Sequence, residues 1–100
     1  MNIERITEQN EAYRKIVQTT REMQLVVMSL KSVERVPLET HIHASQFIRV
    51  ESGSGVVLIN GKRHHLSDGR SVIIPAGAQH EIRAGRLGMK LYTIYSPPVH

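Results

Sequence analysis

The sequence predicts an all-β domain, a sandwich or barrel of short strands. Three observations carry that expectation. Short apolar or alternating runs recur along the chain, rich in Val and Ile. Gly, Pro, Asn and Asp clusters separate them about every ten residues. No amphipathic helix of useful length follows Ala12, which excludes the alternating strand–helix pattern of a parallel sheet.

Residues 1–11 read as a polar N-terminal arm with a single helical turn, and residues 12–100 as one domain. Tyr13 to Gln18, with Ile16-Val17 at its centre, is the first strand. Gln24 to Leu30 is a strand apolar on both faces, hence buried. Pro37 breaks the pattern and opens a loop toward His41. In Gln46 to Glu51 the residues alternate: Gln46, Ile48 and Val50 share one face, and Phe47, Arg49 and Glu51 the other. Gly53-Ser54-Gly55 reads as a turn before a strand at Val56 to Ile59. Asn60-Gly61 is a hairpin signal, because both residues tolerate positive φ. Lys62 to Leu66 returns from it. Ser71 to Ile74 follows and stops at Pro75-Ala76-Gly77. Gln79 to Arg83 is the next strand, Gly85 to Gly88 a loop, and Met89 to Tyr95 the last strand before Pro97-Pro98.

Composition narrows the function classes. The chain has 100 residues, 40% of them hydrophobic and 22% charged, which is enough for one core. With no Trp and one Phe, that core must be aliphatic. The first fourteen residues lack the apolar stretch of a signal peptide, and no run approaches the length of a membrane span. There is no Cys, so neither disulfides nor thiolate chemistry are available. A cytoplasmic protein is the expectation. The net charge is +4, but the basic residues are scattered and no aromatics interleave with them, so neither a nucleic-acid nor a membrane partner is expected.

The chain has six histidines. His41 and His43 stand two apart, so an extended segment would point both to one side. His80 starts a strand just after a turn, with Ile82 on its face. Gln46 starts another on an apolar, inward face. Two readings stand at this point. These residues surround a divalent metal, since imidazole suits Zn, Cu, Fe and Ni and an amide oxygen can add a ligand. Alternatively, the His-x-His pair is a surface feature. Glu39, two before His41, is an alternative ligand or a general base, against a solvated loop carboxylate. His64 and His65 follow the hairpin on alternate sides and carry no ligand role. His100 is read as terminal and mobile. Arg49 and Glu51 are assigned to the surface or a subunit contact. Either Tyr92 or Tyr95 lines the interior.

The spacing resembles the cupin superfamily over nearly the whole chain. The first cupin motif, Gly-x5-His-x-His-x3–4-Glu-x6-Gly, is matched by His41, His43 and Gly53, with Gln46 in the Glu place. The second, Gly-x5-Pro-x-Gly-x2-His-x3-Asn, is matched by Gly69, Pro75, Gly77 and His80. Arg35 and Ala84 replace the motifs' first Gly and last Asn, and the spacer before Gln46 is one residue short. The stretches Gln46 to Gly55 and Leu91 to Pro98 resemble a group of small single-domain cupins often labelled mannose-6-phosphate isomerase-like, a label of fold analogy.

The resemblance implies a double-stranded β-helix, the jelly-roll barrel, and His41, His43, Gln46 and His80 as ligands of one divalent transition metal (Fe, Mn, Ni, Zn, Co or Cu). It further implies a homodimer formed through edge strands; Tyr13 to Gln18 is the candidate for an exchanged or covering segment. The functional expectation is a metalloenzyme acting on a small oxygen-rich or anionic metabolite, by isomerase, lyase or dioxygenase chemistry. The alternative is a non-catalytic module binding a sugar or carboxylate.

Overall fold

The computed structural model describes residues 1–100. In chain order the elements are helix α1 (Ile3–Gln9) and strands β1 (Lys15–Thr19), β2 (Gln24–Leu30), β3 (Arg35–Thr40), β4 (Ser45–Ile59), β5 (Lys62–Ser67), β6 (Ser71–Ile74) and β7 (Gln79–Ser96). All strand pairings are antiparallel.

The arm is more ordered than its polarity foretold. Asn2 caps α1, its side-chain oxygen accepting from the Arg5 N–H at 3.0 Å. Thr7 is fully buried, and the helix packs on β2, β4 and β7. This explains why β2 is apolar on both sides. Val26, Met28 and Leu30 enter the core, while Val27 lies under the helix on the outer side.

β4 and β7 organise the barrel. They pair along their whole length, from Ser45↔Ser96 to Ile59↔His80. The first half of β4 and the second half of β7 belong to one sheet, flanked by β6 and by β2 with β1. Their other halves form the second sheet with β5 and β3. Two antiparallel sheets thus share two bent strands, which is the double-stranded β-helix. Between them sits a core of aliphatic side chains with Tyr95 as its one aromatic member.

Three local expectations need correction. Gly53-Ser54-Gly55 is no turn; it is the bend of β4. Val50↔Leu91 is followed by Ser52↔Lys90, so Glu51 is an extra, bulged residue. Gly53 then takes φ +78°, and a Cβ there would strike the Gly88 carbonyl. The expected loop at Gly85–Gly88 is likewise an outward excursion within β7, between Ala84↔Gly55 and Met89↔Gly53. The bulge also buries Glu51, 5% exposed and 2.9 Å from Arg49 Nε, where a surface position was expected.

Pro37 does not end the pattern. It lies inside β3, a strand that the local sequence pattern does not predict. Val36↔Ile82 and Glu39↔His80 place one extra β3 residue at this point, a bulge in which the missing proline N–H costs no ladder bond. Asn60-Gly61 forms the expected hairpin, with φ of 49° and 81°.

Candidate metal centre

Three chain segments meet at one end of the second sheet. β3 brings Glu39. The turn after it brings His41. The start of β7 brings His80. The Gly77 N–H donates to the His41 carbonyl at 2.9 Å, tying the turn before His80 to the turn that carries His41. Asn60 fixes the other side: its N–H donates to the Gln79 carbonyl at 2.8 Å, and its side-chain oxygen accepts from the Gln79 N–H at 3.0 Å. The hairpin therefore holds the backbone beside His80.

The β3 bulge aims Glu39. Val36 points into the core, so strict alternation would send Leu38 inward and Glu39 outward. The extra residue reverses this. Leu38 is 58% exposed, while the Glu39 side chain is about one-third exposed and in register with His80. One ligand atom from each of Glu39, His41 and His80 lies within 4.8 Å of the others. Glu39 Oε1 is 3.3 Å from His41 Nε2 and 3.5 Å from His80 Nε2.

Neither approach has hydrogen-bond alignment, and both Nε2 atoms are buried without a partner. The tautomer of His80 follows from its other nitrogen. Nδ1 lies 3.2 Å from the Ala78 carbonyl, which can only accept, so Nδ1 carries the proton and Nε2 presents a lone pair. A backbone carbonyl accepting from the far ring nitrogen is how metal-binding imidazoles are oriented. Two buried, unpartnered imidazole nitrogens facing one carboxylate oxygen, one of them presenting a lone pair, fit a divalent cation better than they fit one another.

Gln46 and His43 stand differently. Gln46 is 2% exposed on the inner face. Its Nε2 donates to Thr93 Oγ1 at 2.9 Å, and its Oε1 is buried and unpartnered. It is in register with Tyr95, whose ring packs edge-on against His41 at 5.3 Å between centroids. His43 is exposed and lies outside the Glu39–His41–His80 group. The segment is not extended there: Ile42 and His43 form a turn, so the two-residue spacing does not place both rings on one side. His43 instead lines, with Thr40, His41 and Pro97, a groove of about 330 Å³ beside the site.

Two further residues reach this region. Tyr95 is buried, and burial pushes its pKa up to about 12. It stays a neutral phenol. His100 is held rather than mobile. The buried Gln24 side chain accepts from the N–H groups of Val99 and His100 at 3.2 and 3.0 Å, and donates to the His100 carbonyl at 2.8 Å. The His100 ring then packs against Tyr95 at 5.0 Å and His41 at 6.3 Å. Burial lowers its pKa. No sequence signal marked Gln24 as the clasp, since its partner is 76 residues away.

Known proteins share this arrangement of elements. The family model described as a cupin domain matches residues 26–95. The chain belongs to the cupin family. Among solved structures, the crystal structure of BH2720 from Bacillus halodurans superposes with a TM-score of 0.96 at 37% identity, covering 100% of this chain and 81% of that one. An uncharacterized Bacillus subtilis protein, YrkC, is 37% identical over 107 residues. The uncharacterized protein L612 of Acanthamoeba polyphaga mimivirus is 40% identical over 106. Both alignments take in 100% of this chain, which spans 58% and 66% of those proteins' lengths. No helix of this cupin is long and apolar enough to cross a membrane.

Proposed function

We propose that this cupin binds one divalent transition metal through Glu39, His41 and His80, with the Gln46 oxygen as a further neutral donor, and that it acts as a metalloenzyme on a small oxygen-rich or anionic metabolite. One observation carries the reading: two buried, unpartnered imidazole nitrogens converge on a carboxylate. Two imidazoles and one carboxylate are the donor set of open-sided catalytic Zn and non-haem Fe(II) centres. Such an ion supplies Lewis acidity to a coordinated oxygen ligand, or a position for dioxygen. The protein's own part is positional. The Ala78 carbonyl orients His80, the β3 bulge aims Glu39, and Tyr95 and His100 cover His41.

Elemental analysis of tag-free protein tests this. The expected result is close to one equivalent of Fe, Mn, Co, Ni, Cu or Zn, lost in His80→Ala and reduced in Glu39→Gln. Unchanged metal content in His80→Ala would refute the site. A turnover screen with 2-oxo acids and enediols, in air and without it, separates oxygenase from isomerase or lyase chemistry. Ligand-induced melting shifts without turnover would identify a binding module.

A further inference from the structure

Four buried side-chain polar atoms have no hydrogen-bond partner: His41 Nε2, His80 Nε2, Gln46 Oε1 and Arg14 Nε. The first three belong to the metal centre or its inner wall. The fourth is on a different segment, just before β1, and the proposed function makes no use of it.

Lys15 pairs with Val27, and both line an outer groove beside α1, with Ile6 and Asn10. Arg14 stands one residue before β1 with its Nε buried; alternation continued by one residue would turn it to the opposite, inner side. Its guanidinium carbon lies 5.7 Å from the centroid of the Tyr13 ring. None of the chain's ion pairs includes it. Its charge nevertheless reaches the metal centre's surroundings. Burial dominates the shifts of both rings, raising the pKa of Tyr95 and lowering that of His100; the Arg14 charge opposes burial at Tyr95 and reinforces it at His100. Those are the two rings packed on His41.

A half-buried guanidinium with an unpaired N–H is costly to keep. We propose that Arg14 is the oxyanion-recognition residue of this site, binding the carboxylate or phosphate end of a small ligand whose other oxygen reaches the Glu39–His41–His80 group. This rests on the metal-centre reading. Two neutral imidazoles and one carboxylate leave a divalent ion with one net positive charge, and Arg14 adds a second. An anionic ligand neutralises that excess, whereas an uncharged sugar leaves the guanidinium unpaired. The planar fork of Nε and Nη matches two oxygens of a carboxylate or phosphate.

The test titrates pyruvate and inorganic phosphate by calorimetry into wild type, Arg14→Met and Arg14→Lys, each metal-loaded and chelator-treated. Arg14→Met is expected to take up metal like wild type and to be at least as stable in urea, because it removes a desolvated charge. It should bind the favoured anion about 10- to 100-fold more weakly, with partial recovery in Arg14→Lys. The anion that binds shows whether carboxylate or phosphate is the natural head group. Equal anion affinity in wild type and Arg14→Met overturns the inference, as does a wild type that binds neither anion. Loss of stability in Arg14→Met, with no recovery in Arg14→Lys, assigns the residue a structural role and also overturns it. Absence of metal uptake by wild type refutes the metal centre separately. Arg14 is then judged on the metal-free titrations, where dependence on Arg14 supports it and independence rejects it.

Discussion

Replacing Gln46 with glutamate should have opposite effects on the metal-free and metal-loaded protein. The side chain is 2% exposed. Its Nε2 is satisfied by Thr93 at 2.9 Å, and its Oε1 faces a space with no protein donor. In chelator-treated Gln46→Glu, the new carboxyl is buried with no cation to face and one oxygen without a donor. A buried, uncompensated ion costs several kcal/mol even after relaxation, so the group is held partly protonated and its pKa is raised. The sign follows. A carboxyl with a raised folded pKa leaves the protein near wild-type stability at low pH and destabilises it increasingly as pH rises past the unfolded value. Urea denaturation at pH 7 should therefore show a loss of about 2–4 kcal/mol. With a divalent ion bound, the same carboxylate has a cation to face. The loss should shrink or reverse, and metal affinity measured by competition with a chelator should rise about tenfold or more, equivalent to about 1.4 kcal/mol. If Gln46→Glu destabilises both forms equally and leaves metal affinity unchanged, the Gln46 oxygen does not face the ion.

Other outcomes follow from the same structure. Gly53→Ala must hold φ near +78° and push its Cβ into the Gly88 carbonyl, so urea denaturation should show a loss of about 2–4 kcal/mol, more than the roughly 1–2 kcal/mol of the left-handed conformation alone. A loss below 1 kcal/mol would mean that the β4–β7 bend is soft. Leu91→Ala, from a fully buried position, should cost about 2–5 kcal/mol in the same assay. For Tyr95, a folded pKa of about 12 against 10.0 stabilises the fold fully below pH 10 and loses that contribution as pH rises toward 12. The integrated effect is about 3 kcal/mol, and metal-free Tyr95→Phe should show a flatter stability profile over that window. Gln24→Ala removes three hydrogen bonds to the chain at 99–100, so amide exchange at Val99 and His100 should accelerate at least tenfold while the exchange of β7 is preserved.

Much of the fold was legible because alternation and turn chemistry are local. Gln46, Ile48 and Val50 face inward, and Asn60-Gly61 turns a hairpin, as the sequence indicated. The errors cluster where a strand changes direction without ending. Gly53 and Gly88 read as turn residues because positive φ usually ends a strand. Here the two glycines face each other across paired strands, a relation between distant positions that no short window contains. Pro37 misled for the same reason. Proline was read as a break, and the bulge that accommodates it depends on the register of β3 with β7. That bulge determines what the site contains: it brings in Glu39, which simple parity would place outside.

The departure of Gln46 from the cupin motif and the position of Glu39 therefore bear on one another. The motif supplies its carboxylate after the second histidine. In this chain that place holds a neutral amide, and the histidine before it, His43, sits on an exposed turn. A carboxylate stands instead two residues before His41, in register with His80 and within reach of both remaining imidazoles. On the proposed metal-centre reading, one anionic and two imidazole donors would come from a different set of positions. This exchange constrains the loop: Glu39, Thr40 and His41 must carry their side chains from the β3 bulge to the Ile42-His43 turn without slack. A deletion or insertion between Val36 and Glu39 would change the parity of Glu39 and turn its carboxylate away from His80, whereas the same change after His43 would alter only the approach to β4. On the same reading the short spacer before Gln46 is tolerable, because the proposed carboxylate donor, Glu39, stands on the other side of the histidine.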